Sequence, residues 1–193
     1  MSTLLKNTPS TGPFVVAQPK NFKDTYQYEP LKDGEIRLFE IIQTFTGHWL
    51  KSPDIKLSLK MRTAKLSEIS DKYSAMSYVW GDETKKCGID VTSSGPNGEI
   101  VTGNLQINLN LLHALQQAHK VSEHSRFRRQ SRLFWADAIC INQAANEGPF
   151  LQEREKQVRI MHQIYSSASQ VIVDLGREDE YTTTAMEMIH KLD

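Results

Sequence analysis

Glu153, Arg154 and Gln157 are polar where an amphipathic helix should be apolar. At about 100° per residue, Val158, Met161, Ile164, Tyr165 and Ala168 form one apolar stripe, with Glu155, Lys156, Arg159, His162, Gln163 and Ser166 opposite. Glu153, Arg154 and Gln157 project toward the apolar side in the first turns of that helix. An inward carboxylate and guanidinium are groups that could meet a charged ligand. A plainer account is also open: a helix macrodipole favours glutamate near its N-terminus, and Arg154 could pair with a neighbouring carboxylate.

The surrounding elements give these residues a place. Leu133 to Ile141 and Gln170 to Leu175 are apolar on nearly every residue, as expected of strands covered on both faces in a parallel sheet. With the helix between them they make a strand, helix, strand order. In such sheets ligands bind beyond the carboxyl ends of the strands, an edge that here carries Asn142, Gln143, Glu153 and Arg154. Asp137 interrupts the first apolar run; buried without a partner it would cost several kcal/mol, so it is either hydrogen-bonded structure or a site residue.

Upstream, Ile36 to Ile42 reads as a strand, and Ile55 to Met61 alternates apolar and polar residues, as expected of a half-exposed strand at an edge. Tyr73 to Trp80 is a third strand, ended by Gly81 and Asp82. Cys87 to Val91 and Glu99 to Val101 flank the turn-rich SSGPNG, the pattern of a hairpin. Asn104 or Asn108 can cap a helix running to about His119, with Leu111, Leu112, Leu115 and Ala118 buried. Arg126, Phe127, Arg128, Arg129 and Arg132 form a basic loop, read as solvated rather than as a nucleic-acid patch.

Composition narrows the function classes. A chain of 193 residues with zero formal net charge suits one α/β domain and has no global field for nucleic acid or anionic membranes. Cys87 and Cys140 have no CxxC partner and the histidines have no ligand spacing, so no metal site is expected. Free cysteines, no signal-peptide pattern and no run of roughly 20 apolar residues lead to the expectation of a cytoplasmic protein without a membrane span. P-loop, GxGxxG and GxSxG motifs are absent from the sequence. Residues 1–25 hold three prolines among polar residues and read as a flexible tail, leaving 26–193 as the domain. The last segment, ending at Asp193 without a C-cap signal, is what the front part of a longer protein would look like.

Five blocks then carry a resemblance: YEPLKDGEIRLFEI from Tyr28, YSAMSYVWGD from Tyr73, NLQINLNLL from Asn104, LFWADAICINQ from Leu133, and EREKQVRIMHQIYSSASQVIVDLG from Glu153. In order and spacing they resemble the fungal heterokaryon incompatibility (HET) domain, over about Tyr28 to Gly176. Asp174 stands where that family more often has tryptophan. The resemblance implies a role in fungal non-self recognition ending in programmed cell death. HET domains have been regarded as distant relatives of toll/interleukin receptor (TIR) domains, several of which hydrolyse NAD with a glutamate on a helix beside the sheet's cleft.

Together these give the following expectations. The fold is a three-layer α/β domain, its mostly parallel sheet flanked by helices in a TIR/flavodoxin-like manner, with a β-hairpin insertion. The function is a death effector that hydrolyses NAD or a related nucleotide when clustered, with NAD as substrate rather than cofactor; the alternative is a non-catalytic module that self-associates or engages a partner incompatibility protein. Glu153, with Asp137 as the second carboxylate, would stabilise the cationic ribose that forms when the nicotinamide bond breaks. Trp80 offers a flat face for a base, Gly81, Asp82, Asn142 and Gln143 line the cleft, and Arg154 holds the pyrophosphate.

Overall fold

The computed structural model describes residues 25–46, 54–82, 84–95, 97–123, 132–143, 148–176 and 182. Seven strands form one sheet in the order β5-β4-β2-β1-β6-β3-β7. β1 (Glu35–Thr46) holds the centre: Ile36, Arg37, Leu38 and Phe39 are consecutively buried, so both faces of this strand are covered. β2 (Asp54–Lys65) pairs with it antiparallel along its whole length. Leu57, Leu59 and Met61 are buried while Lys56, Lys60 and Arg62 are exposed. The expected edge position for this strand is corrected, because β4 (Lys86–Ser94) pairs on its other side. Alternation reports that one face meets water; it carries no information about which backbone edge is occupied.

The hairpin expected around SSGPNG is β4 with β5 (Ile100–Asn108), antiparallel from Lys86↔Asn108 to Ser94↔Ile100. Ahead of β1, the segment 25–34 runs without regular structure and docks on β5 through the Thr25↔Asn104 bridge. Gly103 permits that approach, since a Cβ there would meet the Tyr26 Cα at 2.4 Å. The rest of the expected tail lies outside the described residues.

β6 (Leu133–Trp135), β3 (Ser74–Tyr78) and β7 (Gln170–Asp174) are mutually parallel, and β2–β4 is parallel as well. β1–β2, β1–β6 and β4–β5 are antiparallel. The α/β class is therefore present, but the sheet is mixed, an even split of pairings where mostly parallel pairing was expected. β1 is antiparallel to both of its neighbours, β2 and β6, so the direction changes on each side of it. Helices cover both faces of the parallel part. Asp174, paired with Tyr78, reaches His113 of α2 (Leu109–Glu123), while Trp135, paired with Ala75, packs edge-on against Tyr165 of α5 (Met161–Ser166). Positions 75 and 78 differ by three, so the two helices lie on opposite sides.

Three further expectations change. The run Leu133 to Ile141 is not one strand: after β6 the chain turns into α3 (Asp137–Cys140), whose peptide N–H groups bond back to Ala136 O. A short apolar run does not distinguish a buried strand from a buried helical turn. The helix after it breaks at Ile160 into α4 (Gly148–Arg159) and α5, and Val158 is exposed rather than part of the stripe. β7 is the last strand of the sheet, and its Val171 and Val173 are exposed rather than covered. Asn108, not Asn104, caps α2, its Oδ1 accepting from Leu111 N at 2.7 Å. Arg126 to Arg129 lie outside the described residues. Among the described residues no helix is long and apolar enough to cross a membrane.

Candidate functional site

The first group of charged residues is buried. Arg37 sits in the most covered strand, in a run that is otherwise mostly apolar, and is 2% exposed. A charge in that place needs a counter-charge and a full set of acceptors. Glu153 supplies the first, its Oε1 accepting from Arg37 Nη1 at 2.8 Å. Cys140 O accepts from the same nitrogen at 3.0 Å and Glu29 O from Nη2 at 2.6 Å. The guanidinium also lies over the Tyr28 ring, 4.9 Å from its centroid. The other Glu153 oxygen accepts the Leu31 backbone N–H at 2.8 Å. Gln157 is one turn further along the same face of α4, 5% exposed, and donates to Glu35 O at 3.0 Å.

The inward phase expected for Glu153 and Gln157 is therefore what the structure has, for a physical reason different from the expected one. α4 begins at Gly148, so Glu153 lies in its second turn and not at the N-terminus. Its carboxylate is 9% exposed and both oxygens are engaged. Its ion-pair partner is Arg37, not Arg154, which is half-buried and lines neither of the two larger clefts. Segment 25–34, which forms neither helix nor strand, is held by this pair, by Tyr26 N donating to Asn104 O at 3.0 Å, and by the Tyr28 hydroxyl, which donates to Ile139 O at 2.8 Å.

The second group gathers at the carboxyl ends of β6 and β3. Asp137, displaced from a strand to the first residue of α3, accepts from Tyr78 Oη at 3.2 Å, Trp80 Nε1 at 3.2 Å and Ala138 N at 2.8 Å. Burial pushes the Tyr78 phenol well above its ordinary range, and the Asp137 carboxylate beside it adds to the shift, so Tyr78 stays protonated and donates. Trp80 is 43% exposed with its indole N–H tied to that carboxylate, which fixes the plane of the ring. Gln143 Nε2 donates to Asp137 O at 3.0 Å. Trp80, Asn142 and Gln143 line one cleft of about 570 Å³ together with Tyr28, Asn108 and Lys86.

Of the expected ligand residues the structure brings Trp80, Asn142 and Gln143 together, with Asp137 bonded to the first. Gly81 and Asp82 do other work. Gly81 has φ +73° and a Cβ there would meet Asn110 Nδ2 at 2.5 Å. Asp82 accepts from Thr84 N and Thr84 Oγ1 at 2.9 and 2.6 Å, and these bonds hold its carboxyl below the usual range. Glu153 does not line the Trp80 cleft; it borders a larger one, about 1030 Å³, walled by the turn 30–34, α1 (Leu66–Ile69) and the α4–α5 pair. Trp135 is fully buried. Arg37, Tyr28, Tyr78 and Lys86 escaped the sequence reading. Arg37 left a usable signal, since an arginine inside the run Ile36–Ile42 must have an acid somewhere.

A family model described as heterokaryon incompatibility protein (HET) matches residues 73–193. Heterokaryon incompatibility protein 6, OR allele, of Neurospora crassa is 38% identical over 119 residues, which is 61% of this chain and 16% of that relative. The match thus spans about one sixth of the relative's length. No solved structure matches the chain.

Proposed function

Since the chain belongs to the heterokaryon incompatibility (HET) family by its match over residues 73–193, we propose that it serves fungal non-self recognition as a cytoplasmic, death-triggering module that acts by assembling and engaging partners. The observation carrying this reading is the engagement of Glu153. A carboxylate that stabilises a developing ribosyl cation needs an oxygen free to face the sugar. Both oxygens of Glu153 instead hold Arg37 and the Leu31 amide in a nearly buried setting. That arrangement supports a carboxylate that keeps segment 25–34 in place.

A second reading has its own observation. Asp137 lies beside the Trp80 cleft, whose volume is in the range of small-molecule sites. Both Asp137 oxygens are also engaged, Oδ1 by Tyr78 and Ala138 and Oδ2 by Trp80 alone. Hydrolysis of NAD or a related nucleotide would therefore need Oδ2 to exchange its Trp80 Nε1 bond for the sugar, with the Trp80 ring as the stacking face and Asn142 and Gln143 as polar contacts.

One pair of measurements separates them: death of fungal cells expressing the chain, and nicotinamide release by the concentrated or artificially clustered purified protein. Death without turnover supports the module. Turnover that Asp137→Asn abolishes, in a protein that still melts like wild type, supports the hydrolase and overturns the module. Absence of death on expression, alone or with a challenge strain, sinks both.

A further inference from the structure

We propose that the larger cleft is the docking site for an acidic segment of a partner protein. This rests on the partner-engaging reading above and gives the chemistry of that partner.

The cleft concentrates positive charge in a chain whose formal net charge is zero. Lys32, Lys156 and Arg159 line it, and all three are exposed. Its two acids do not cancel them. Glu153 is neutralised by buried Arg37, so three cations stand against Asp33 alone, a surplus of two. Asp33 pairs with Lys156 at 3.2 Å, with both side chains largely exposed. Such a pair is weak in water, so an incoming carboxylate can take Lys156 from it.

The backbone that carries these cations is held in place. Leu31 N donates to Glu153 Oε2 and Lys32 N to Glu35 Oε2, each at 2.8 Å. Lys156 and Arg159 are three apart in α4, the spacing that puts side chains on one helix face. Charges fixed beforehand lose less freedom when a ligand arrives. Gln157, on the same wall and 5% exposed, keeps an Oε1 with no hydrogen-bond partner among the described residues. A peptide N–H is a donor that would satisfy it. Size and lining also select a peptide. At about 1030 Å³ the cleft stands at the top of the range of roughly 300 to 1,000 Å³ for small-molecule sites, so a lone anion would fill little of it. None of its described lining residues is aromatic, so a nucleic-acid base has no face on which to stack.

Fluorescence anisotropy of a labelled octaglutamate peptide tests this on the full chain. At low ionic strength the peptide should bind saturably, and it should be released in strong salt, where the screening length shrinks to about 3 Å at 1 M. Lys32→Glu with Arg159→Glu should weaken binding at least about tenfold, because two exposed attractions become repulsions. Lys60→Glu with Arg62→Glu, exposed on β2 and outside the cleft lining, makes the same change in net charge and should bind like wild type. Circular dichroism and thermal melts check that both variants fold, and Lys32→Ala with Arg159→Ala, expected to lose affinity in the same direction, stands in for the first if it does not. No binding by the wild type, an equal loss in the cleft and β2 variants, or a labelled DNA strand of eight thymidines bound as tightly as the peptide overturns the proposal. In fungal cells the cleft variant should lose killing and the β2 variant should keep it. A cleft variant that no longer binds the peptide yet kills like wild type refutes this docking site alone. NAD turnover that Asp137→Asn abolishes, with peptide binding intact, refutes the partner-engaging reading and leaves the peptide site standing.

Discussion

Replacing Glu153 with glutamine asks whether its carboxylate is structural or chemical, and the two roles predict opposite results. The side chain keeps its size, but Arg37, 2% exposed, loses its counter-charge. Removing one member of a buried pair typically costs about 3 to 5 kcal/mol, because the other charge is left uncompensated. The amide adds a second problem. One of its two ends must be an NH2, so if the oxygen faces Arg37 a donor is turned toward the Leu31 N–H, now 2.8 Å from a carboxylate oxygen. In a domain of this size each kcal/mol shifts the melting temperature by about 2 to 4 °C, so Glu153→Gln should melt roughly 6 to 20 °C below wild type. Glu155→Gln, exposed and two residues along the same helix, is the control and should stay within about 0.5 kcal/mol. Thermal melts followed by circular dichroism and urea titration of all three proteins decide the matter. A Glu153→Gln protein that melts with wild type would refute the structural argument, and a simultaneous loss of nicotinamide release would return Glu153 to catalysis.

Three other outcomes follow from the packing. Both cysteines are free and buried, and burial pushes the Cys140 thiol up to about 12, so the native protein at pH 8 should react with a thiol reagent far more slowly than the denatured, unreduced chain, which should titrate two thiols; a rapid native reaction at Cys140 would contradict its burial. Trp135→Ala should destabilise by about 3 to 5 kcal/mol as a truncated core aromatic, whereas Trp80→Ala, half-exposed and held by one hydrogen bond, should lose about 1 to 2 kcal/mol while altering any ligand response; equal losses in urea would show Trp80 to be core as well. Tyr26, Tyr28, Tyr73, Tyr78 and Tyr165 all titrate above their ordinary value of 10.0, chiefly through burial, with Tyr73 at about 12. The unfolded chain releases those protons first, so stability should be intact below pH 10 and fall as pH rises through about 12; tyrosine absorbance that ionises normally while the fold persists would refute the burial argument.

The amino-acid sequence by itself carried the local structure and the family. Ile36 to Ile42, Ser74 to Tyr78 and Gln170 to Asp174 are strands because apolar, β-prone runs bounded by turn residues have few other uses, and SSGPNG makes a hairpin because its residues suit the turn. The inward phase of Glu153 and Gln157 was legible too, since helical periodicity depends only on neighbours along the chain. The four blocks from Tyr73 onward lie within the matched residues 73–193 and carried the family, because order and spacing are properties of the sequence.

What those inward residues meet was decided only by the tertiary structure. Arg37 and Glu153 are 116 residues apart, and no periodicity relates positions on different elements. The same limit explains the sheet. Alternation in β2 reported one wet face, yet its place in the interior depended on β4 arriving alongside, and the direction of each pairing depended on how the connections cross. Leu133 to Cys140 shows the limit at short range: Trp135 and Ile139 are both fully buried, so apolarity was satisfied equally by strand and by helical turn, and the backbone bonds to Ala136 O made the choice. That choice moved Asp137 from the middle of a strand to the carboxyl end of β6, beside Trp80 and apart from Glu153. One expected site thus became two clefts, because burial is written in residue types while the identity of a buried group's partner is written only in three-dimensional proximity.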